Sequence, residues 1–117
     1  MTPISLSEGT GRTRVDLTIH TIGSDLIVCL FNDQGHLGAV ALAEFNPQEK
    51  RASTSVVTRF GHKDDLIAHS AAHHLCRHLK KPVCAIAGIH LDHITEEEIA
   101  DIKHNCDRLI ERLIQQL

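Results

Sequence analysis

Two short polar stretches organise this sequence: Arg59-Phe60-Gly61-His62-Lys63-Asp64-Asp65 and Gly88-Ile89-His90-Leu91-Asp92-His93. Each follows an extended apolar pattern, at residues 52–60 and 82–90, and each precedes a helical pattern. A helix between two strands of one sheet normally makes those strands parallel, so their C-terminal ends lie at one edge of the sheet. Open α/β sheets place ligands at that edge, and the helix N-termini beside it favour anions. We therefore expect the functional site where the two stretches meet.

Four extended segments precede the first helix. Residues 14–22 alternate apolar and polar side chains, which predicts a half-exposed strand. Residues 25–31 are apolar in both registers, which predicts a central strand covered on both faces. Residues 36–45 and 51–60 follow after short turns, and the four segments together predict an antiparallel meander. With the later strand at 82–90 the order is ββββαβα, which predicts the α+β class, a mostly antiparallel sheet with helices packed on it.

Both helices have clear sequence signals. The first is predicted over residues 64–80, and the second begins at a capping box formed by Thr95 and Glu98. The apolar stripe of the second helix is broader than one sheet would cover. The stripe is formed by Ile99, Ile102, Cys106, Leu109 and Leu113, and it is widened by Ile110, Ile114 and Leu117. We expect the surplus to form a homodimer contact.

Composition narrows the possible classes of protein. A chain of 117 residues suits a single α+β domain at 14–117, preceded by a polar, flexible lead-in at 1–13. The net charge of −3 argues against nucleic-acid binding, and no apolar run approaches the roughly 18 residues that a membrane span needs. The lead-in lacks the hydrophobic segment of a secretory signal, which predicts a cytoplasmic protein. The four cysteines lack C-x-x-C spacing and are interpreted as buried thiols.

Imidazole and carboxylate groups at the expected edge suit a divalent metal. The candidate ligands are His62, His90 and Asp92, with Asp64 or Asp65 beside them. The alternative interpretation is structural, with Asp64 as a helix cap and His62 as a loop residue bonded to the backbone. The sequence leaves both open, because the proximity of the two histidines rests on the crossover alone.

The same edge has the groups of an anion pocket. Arg59, Lys63 and the first-turn amides of the first helix could hold a phosphate. The alternative is that both cations pair with the neighbouring Asp64 and Asp65, which contributes little on a surface.

Further histidines lie on the first helix. His69 and His73 are four residues apart, a spacing that can hold a metal. His74 and His78 repeat the spacing on the opposite flank, so composition explains both pairs. We interpret His69 and His73 as border residues that cover the edge of the sheet.

The two stretches, extended to Phe60–Asp65 and Ala87–Ile99, resemble a bacterial family, the prenylated flavin chaperone LpdD-like family, also described as proteasome-assembly-chaperone-like. Together with the ββββαβα order, the resemblance covers residues 12 to 117. It implies an antiparallel-rich sheet with helices packed on it, often in a dimer. The family includes the small D subunit associated with gallate-type, UbiD-like non-oxidative decarboxylases.

The resemblance also implies a function and a site. The implied function is an accessory protein, not itself an enzyme, that binds prenylated flavin mononucleotide and serves a UbiD-type decarboxylase. The family pattern carries over to five positions of this chain: His62, Lys63, Asp65, His90 and Asp92. Arg59 joins them as a phosphate ligand. His93 stands where the family usually has a small residue.

A flavin would need room for its ring. Gly38, Ala39 and Ala41 are small and could leave that room, or they could let a helix pack closely on the strand. Two other functions stay open: a non-catalytic assembly chaperone that acts through a homodimeric or partner surface, and a small His/Asp metal-dependent enzyme.

Overall fold

The computed structural model describes residues 4–60 and 64–117, which form six strands, two helices and one short 3-10 turn. The strands are β1 Ser5–Glu8, β2 Val15–Ile22, β3 Asp25–Phe31, β4 Ala39–Asn46, β5 Arg51–Thr58 and β6 Val83–Gly88. The helices are α1 Asp65–Leu79 and α2 Glu96–Gln116, and the 3-10 turn is Gly11–Thr13. The α+β class with a mostly antiparallel sheet is confirmed.

The strands lie in the order β1-β2-β3-β6-β4-β5. The prediction of an antiparallel meander is wrong, because β6 lies between β3 and β4, parallel to β3 and antiparallel to β4. Every second side chain of β6, namely Val83, Ala85 and Ala87, is fully buried, and this suits a strand in the centre of the sheet. Since β4 is antiparallel to both β5 and β6, those two strands run in the same direction, as the crossover predicted.

Both helices pack on one face of the sheet. Helix α1 lies on β4, β5 and β6, and α2 lies on β1 and β2. Small side chains are buried on both elements where α1 packs on β4, namely Ala39 and Ala41 on the strand and Ala68 and Ala72 on the helix. Close helix packing, and not space for a ligand ring, therefore explains the small residues of β4.

The apolar stripe of α2 is buried within the chain itself. Leu109 and Leu113 are fully buried, as is most of Ile102 and Ile110. Leu109 and Leu113 therefore take no part in a dimer contact, because β1 widens the sheet beneath α2. Ile99 and Leu117 of the same helix face are 39% and 50% exposed, and the homodimer stays a prediction.

The segment expected to be a flexible lead-in carries regular structure from residue 5. Strand β1 pairs with β2, and α2 holds it from the side. Arg108 Nε lies 2.6 Å from Glu8 Oε1, and Arg112 donates to the carbonyl oxygen of Ser7 at 2.7 Å. These contacts correct the expectation of flexibility for β1. Ile4 and Leu6 alternate with Ser5 and Ser7 and pack against the core, but this alternation is short and lies in a Ser- and Gly-rich segment.

The opposite face of the sheet is open in the single chain. The sequence predicted that β3 would be covered on both faces, but both described helices lie on the other face, and the outward side chains Ile27 and Cys29 are only partly buried. That prediction is wrong for the isolated chain.

Among the described helices, none has both the length and the apolar character to cross a membrane.

Candidate functional site at the rim of the sheet

The two polar stretches meet at one edge of the sheet, which we call the rim. It contains the C-terminal ends of β3, β5 and β6 and the start of β4. A direct hydrogen bond joins the stretches, because the backbone N–H of Ile89 donates to Asp64 Oδ1 at 3.4 Å. His62 and Lys63 lie outside the described residues, so their place at the rim is not part of this geometry.

Asp64 is the buried acid of the first stretch. Its side chain is 5% exposed and makes no capping hydrogen bond to α1, although the residue stands at the N-cap position. Its carboxylate instead fills the space above Gly38, where an added Cβ would collide with it. Asp65, which the resemblance singled out, is the first residue of α1 and is half-exposed. The sequence offered two adjacent aspartates and no signal to decide which one faces inward.

The backbone of His90 is held by a side chain from the segment that follows β3. Asn32, buried after β3, donates from Nδ2 to the His90 carbonyl oxygen at 2.9 Å and accepts from the His90 N–H at 3.1 Å. The His90 ring lies 3.0 Å, Nε2 to Oδ1, from the Asp92 carboxylate. The ring of His36 stacks on it, with centroids 5.6 Å apart. This arrangement fixes the ring between a carboxylate and a second imidazole.

Two arginines tie the rim loops together. Arg59 donates from Nη1 to the carbonyl oxygen of Leu37 at 2.8 Å. Arg12 donates to the carbonyl oxygen of Asp92 at 2.8 Å and to Glu98 Oε2 at 2.7 Å. The hydrogen bond from Arg12 lowers the pKa of Glu98 below its usual range. Arg12 lies 80 residues before Asp92, so nothing in the local sequence pattern pointed to this contact.

A cavity of about 370 Å³ opens beside His36 on the uncovered face of the sheet, and we call it the rim cavity. It is lined by Thr18, Cys29, Leu30, Phe31, Asn32, Gly35, His36, Leu37, Ile86 and Gly88. At the end of the cavity, the loop after β3 crosses the end of β6 in backbone contact. A Cβ at Gly35 would collide with the carbonyl oxygen of Gly88. Only glycine permits that approach.

A second, larger cavity of about 510 Å³ lies between α1 and α2. Cys106 is part of its lining, and burial raises the pKa of this thiol to about 12. A thiol with so high a pKa stays protonated and is a poor nucleophile.

On the β5 side of α1, His73 Nδ1 lies 2.8 Å from Thr54 Oγ1, and the ring of His73 stacks on that of His69. His73 is thus placed at the border of the sheet.

In the part of the chain that the structure describes, no three histidine, cysteine or acidic side chains are grouped to hold a metal. The predicted ligand set of His62, His90 and Asp92 includes one residue outside that part. The other two are bonded to each other.

These features define an α+β domain of the proteasome-assembly-chaperone type of fold. A chain in the crystal structure of a chaperone complex for yeast 20S proteasome assembly shares it with a TM-score of 0.68. The two chains are 13% identical, with 99% of this chain and 97% of that chain covered, so the likeness concerns the fold alone. Among curated proteins, no relative matches this chain.

The chain belongs to the family of the prenylated flavin chaperone LpdD-like domain, which matches residues 9–117. The resemblance drawn from the two polar stretches is therefore confirmed.

Proposed function

We propose that this protein is a cytoplasmic accessory protein that binds prenylated flavin mononucleotide and assists its maturation or its delivery to a UbiD-type non-oxidative decarboxylase. Membership of the prenylated flavin chaperone family over residues 9–117 is the observation that carries the proposal. The flavin is cargo in this account, and the decarboxylation chemistry belongs to the enzyme that receives it.

The rim cavity fits the ring system of such a cargo. Its volume of about 370 Å³ falls in the range of small-molecule sites. Phe31 and Leu37 supply apolar walls, and His36 supplies an imidazole that can stack on a flat ring. The chain has no Trp or Tyr, so stacking is limited to Phe and His. Modest stacking suits a carrier, because a cargo that must be handed on has to dissociate.

The phosphate is assigned to the first polar stretch. Arg59 uses Nη1 to bond Leu37, and a guanidinium has five N–H donors in all, so others can reach a phosphate. The N-terminus of α1 lies at the same rim, and its first-turn amides favour an anion. We assign Lys63 and His62 to this anion site by their places in the sequence. Asp65 is expected to bond the cargo beside them.

His90 and Asp92 are assigned to polar groups of the flavin. The Asp92 carboxylate accepts a hydrogen bond from the Nε2–H tautomer of His90, and this tautomer leaves Nδ1 as an acceptor. The two hydrogen bonds of Asn32 fix the backbone of His90, and Asp92 and His36 contact its ring before the cargo arrives. Such preorganisation lowers the entropy cost of binding.

The test is an anaerobic titration of the purified protein with reduced prenylated flavin, followed by absorbance, and then addition of the apo decarboxylase. We expect saturable binding and faster activation of the enzyme. His90→Ala and Arg59→Ala should each weaken binding at least tenfold, which corresponds to about 1.4 kcal/mol. His78→Ala, an exposed position near the far end of α1, is the matched control and should bind normally. A wild-type protein that neither binds the flavin nor stimulates the enzyme contradicts the proposal.

A divalent metal is the second candidate ligand of the rim. His62, His90 and Asp92 would be its ligands, and it would offset the charge of Asp64 and Asp65 near a phosphate. Elemental analysis of the purified protein tests this hypothesis. One metal ion per chain supports the site. A metal-free protein whose stability does not change on addition of a chelator contradicts it.

A further inference from the structure

The outer edge of β5 is a row of backbone groups that no described strand pairs. β5 is the last strand of the sheet and has β4 on its inner side only. At its end, the N–H of Arg59 donates to the carbonyl oxygen of Gly38, the residue opposite. Because hydrogen-bonded pairs alternate along an antiparallel ladder, the N–H and C=O groups of every second residue of β5 point away from β4. The residues with outward-pointing groups are Ala52, Thr54, Val56 and Thr58.

This edge lacks the features by which proteins protect a free strand. Protected edges are short, or they carry proline, a bulge or charged side chains. β5 has eight residues and a continuous register with β4, and from Ala52 to Thr58 it has neither proline nor charge. The opposite edge of the sheet is β1, which has only four residues and is held by Arg108 and Arg112. The contrast indicates that the β5 edge receives another strand.

Exposed apolar side chains lie at the C-terminal end of this edge. Val57 is 74% exposed, and Phe60, just beyond the strand, is fully exposed. Side chains of neighbouring strands contact each other across a sheet, and apolar pairs of this kind stabilise the pairing. A strand added here therefore gains by placing uncharged, apolar residues at this end.

Cationic side chains lie at the N-terminal end. Arg51 is exposed at the start of β5. His73 bonds Thr54, and Arg77 follows one turn later on the same flank of α1. Because α1 runs back along β5, Arg77 lies toward the start of the strand. Glu49 lies 3.5 Å from Arg51 and offsets part of this charge, whereas β5 itself has no acidic residue.

We propose that β5 receives an extended segment of a partner protein as an added strand, antiparallel to β5. The segment has uncharged β-branched residues beside Val57 and acidic residues beside Arg51 and Arg77. In this mode of recognition the main-chain hydrogen bonds supply affinity, and the side chains supply specificity. The segment is acidic because its charges meet the cations at the start of β5.

A second copy of this chain is a poorer occupant of the same edge. A two-fold axis that pairs all the outward-pointing residues of two β5 strands places Arg51 of one copy opposite Arg59 of the other. Like charges directly opposite each other destabilise a strand pair. The charge pattern of β5 therefore favours a different, acidic chain.

Val56→Pro is the variant that tests the edge. The N–H of Val56 points away from β4, so proline removes a donor from the free edge while β5 keeps its hydrogen bonds to β4. Val56→Thr keeps the N–H and the branched side chain and is the matched control. The probe is a fluorescein-labelled peptide of about nine residues in which valine and threonine alternate before a C-terminal run of aspartate and glutamate. Fluorescence anisotropy should show saturable binding to the wild type and to Val56→Thr, and binding at least tenfold weaker to Val56→Pro.

Arg51→Glu tests the charge. We expect it to weaken peptide binding about fivefold, since Lys50 and Arg77 keep part of the positive charge. Lys103→Glu reverses an exposed charge on α2, which does not pack on β5, and should bind like the wild type. A peptide that ends in lysines in place of the acidic residues should bind at least tenfold more weakly. Equal binding of the two peptides would contradict the acidic specificity.

Circular dichroism checks that each variant is folded. If Val56→Pro does not fold, Thr58→Pro decides, because Thr58 is exposed and its N–H also points outward. A wild-type protein that does not bind the acidic peptide overturns the proposal, as does a folded proline variant that binds it as tightly as the wild type. If a folded proline variant has a lower mass than the wild type by light scattering, a second copy occupies the edge and the proposal is wrong. The peptide titration contains no flavin, so its failure and that of the flavin proposal are distinguishable.

Discussion

Asp64 is the residue that joins the two halves of the rim. It is buried, it accepts the N–H of Ile89, and it occupies the space that the missing side chain of Gly38 leaves. A buried carboxylate in this position both anchors the loop after β6 and sets the height of α1 above β4. Its neighbour Asp65 has no such environment, since it is half-exposed at the start of the helix.

The first prediction concerns this pair of aspartates. Asp64→Ala leaves the Ile89 N–H without its acceptor and is expected to lower the free energy of unfolding by about 1–3 kcal/mol. Asp65→Ala removes only a first-turn charge and should cost about 0.3–1 kcal/mol. Urea denaturation of the two variants measures the difference. Equal losses would show that Asp64 does not have the anchoring role described above.

The second prediction is a pH dependence that originates at His73. Burial, with smaller contributions from His69 and Arg77, lowers the pKa of His73 below its usual value of 6.5. The unfolded chain therefore binds more protons than the folded chain once the pH falls below about 6.5, and the free energy of unfolding should decrease there. Above that pH the contribution of His73 to stability is complete.

Urea denaturation between pH 5 and pH 8 checks this sign. His73→Gln should flatten the decline below pH 6.5, whereas His78→Gln, an exposed position of the same helix, serves as the control and should follow the wild type. A His73→Gln protein with an unchanged pH profile would rule out this origin.

Individual site residues were predictable only where they lie close in sequence. The second stretch indicated both His90 and Asp92 as site residues, and they lie two positions apart; their hydrogen bond to each other is a finding of the structure. Asn32 and Arg12 were missed because their partners lie 58 and 80 residues away. Their sequence contexts, a turn and a polar N-terminal segment, are ordinary for asparagine and arginine.

The helices and strands themselves followed from local chemistry. The capping box of α2 is present as predicted, with Thr95 Oγ1 accepting the N–H of Glu98 at 3.1 Å and Glu98 Oε1 accepting the N–H of Thr95 at 3.1 Å. Alternation predicted β2 and β3 to within two residues at each end. The insertion of β6 between β3 and β4 was not predictable, because an apolar strand does not encode which neighbour it pairs with.

The third prediction tests the start of α2. Thr95→Ala removes the side-chain acceptor of the capping box and should lower the free energy of unfolding by about 1 kcal/mol. Thr95→Ser keeps the hydroxyl and should retain most of that stability. Thermal unfolding followed by circular dichroism distinguishes the variants, and an alanine variant as stable as the wild type would show that the cap contributes nothing.

The molecule as a whole presents two different sides and one polar edge between them. Its smallest dimension is 21 Å, the thickness of one sheet and one layer of helices. The helices cover one side of the sheet, the outward side chains of the central strands are only partly buried on the other, and the rim lies at one end of both layers.

The central claim is that the rim holds the flavin, and amide chemical shifts of the isotope-labelled protein test it most directly. On addition of reduced prenylated flavin mononucleotide, we expect the shift changes to concentrate in residues 31–38, 59–65 and 88–93. Changes confined to the cavity between α1 and α2, around His74 and Lys103, or a spectrum that does not change at all, would contradict it.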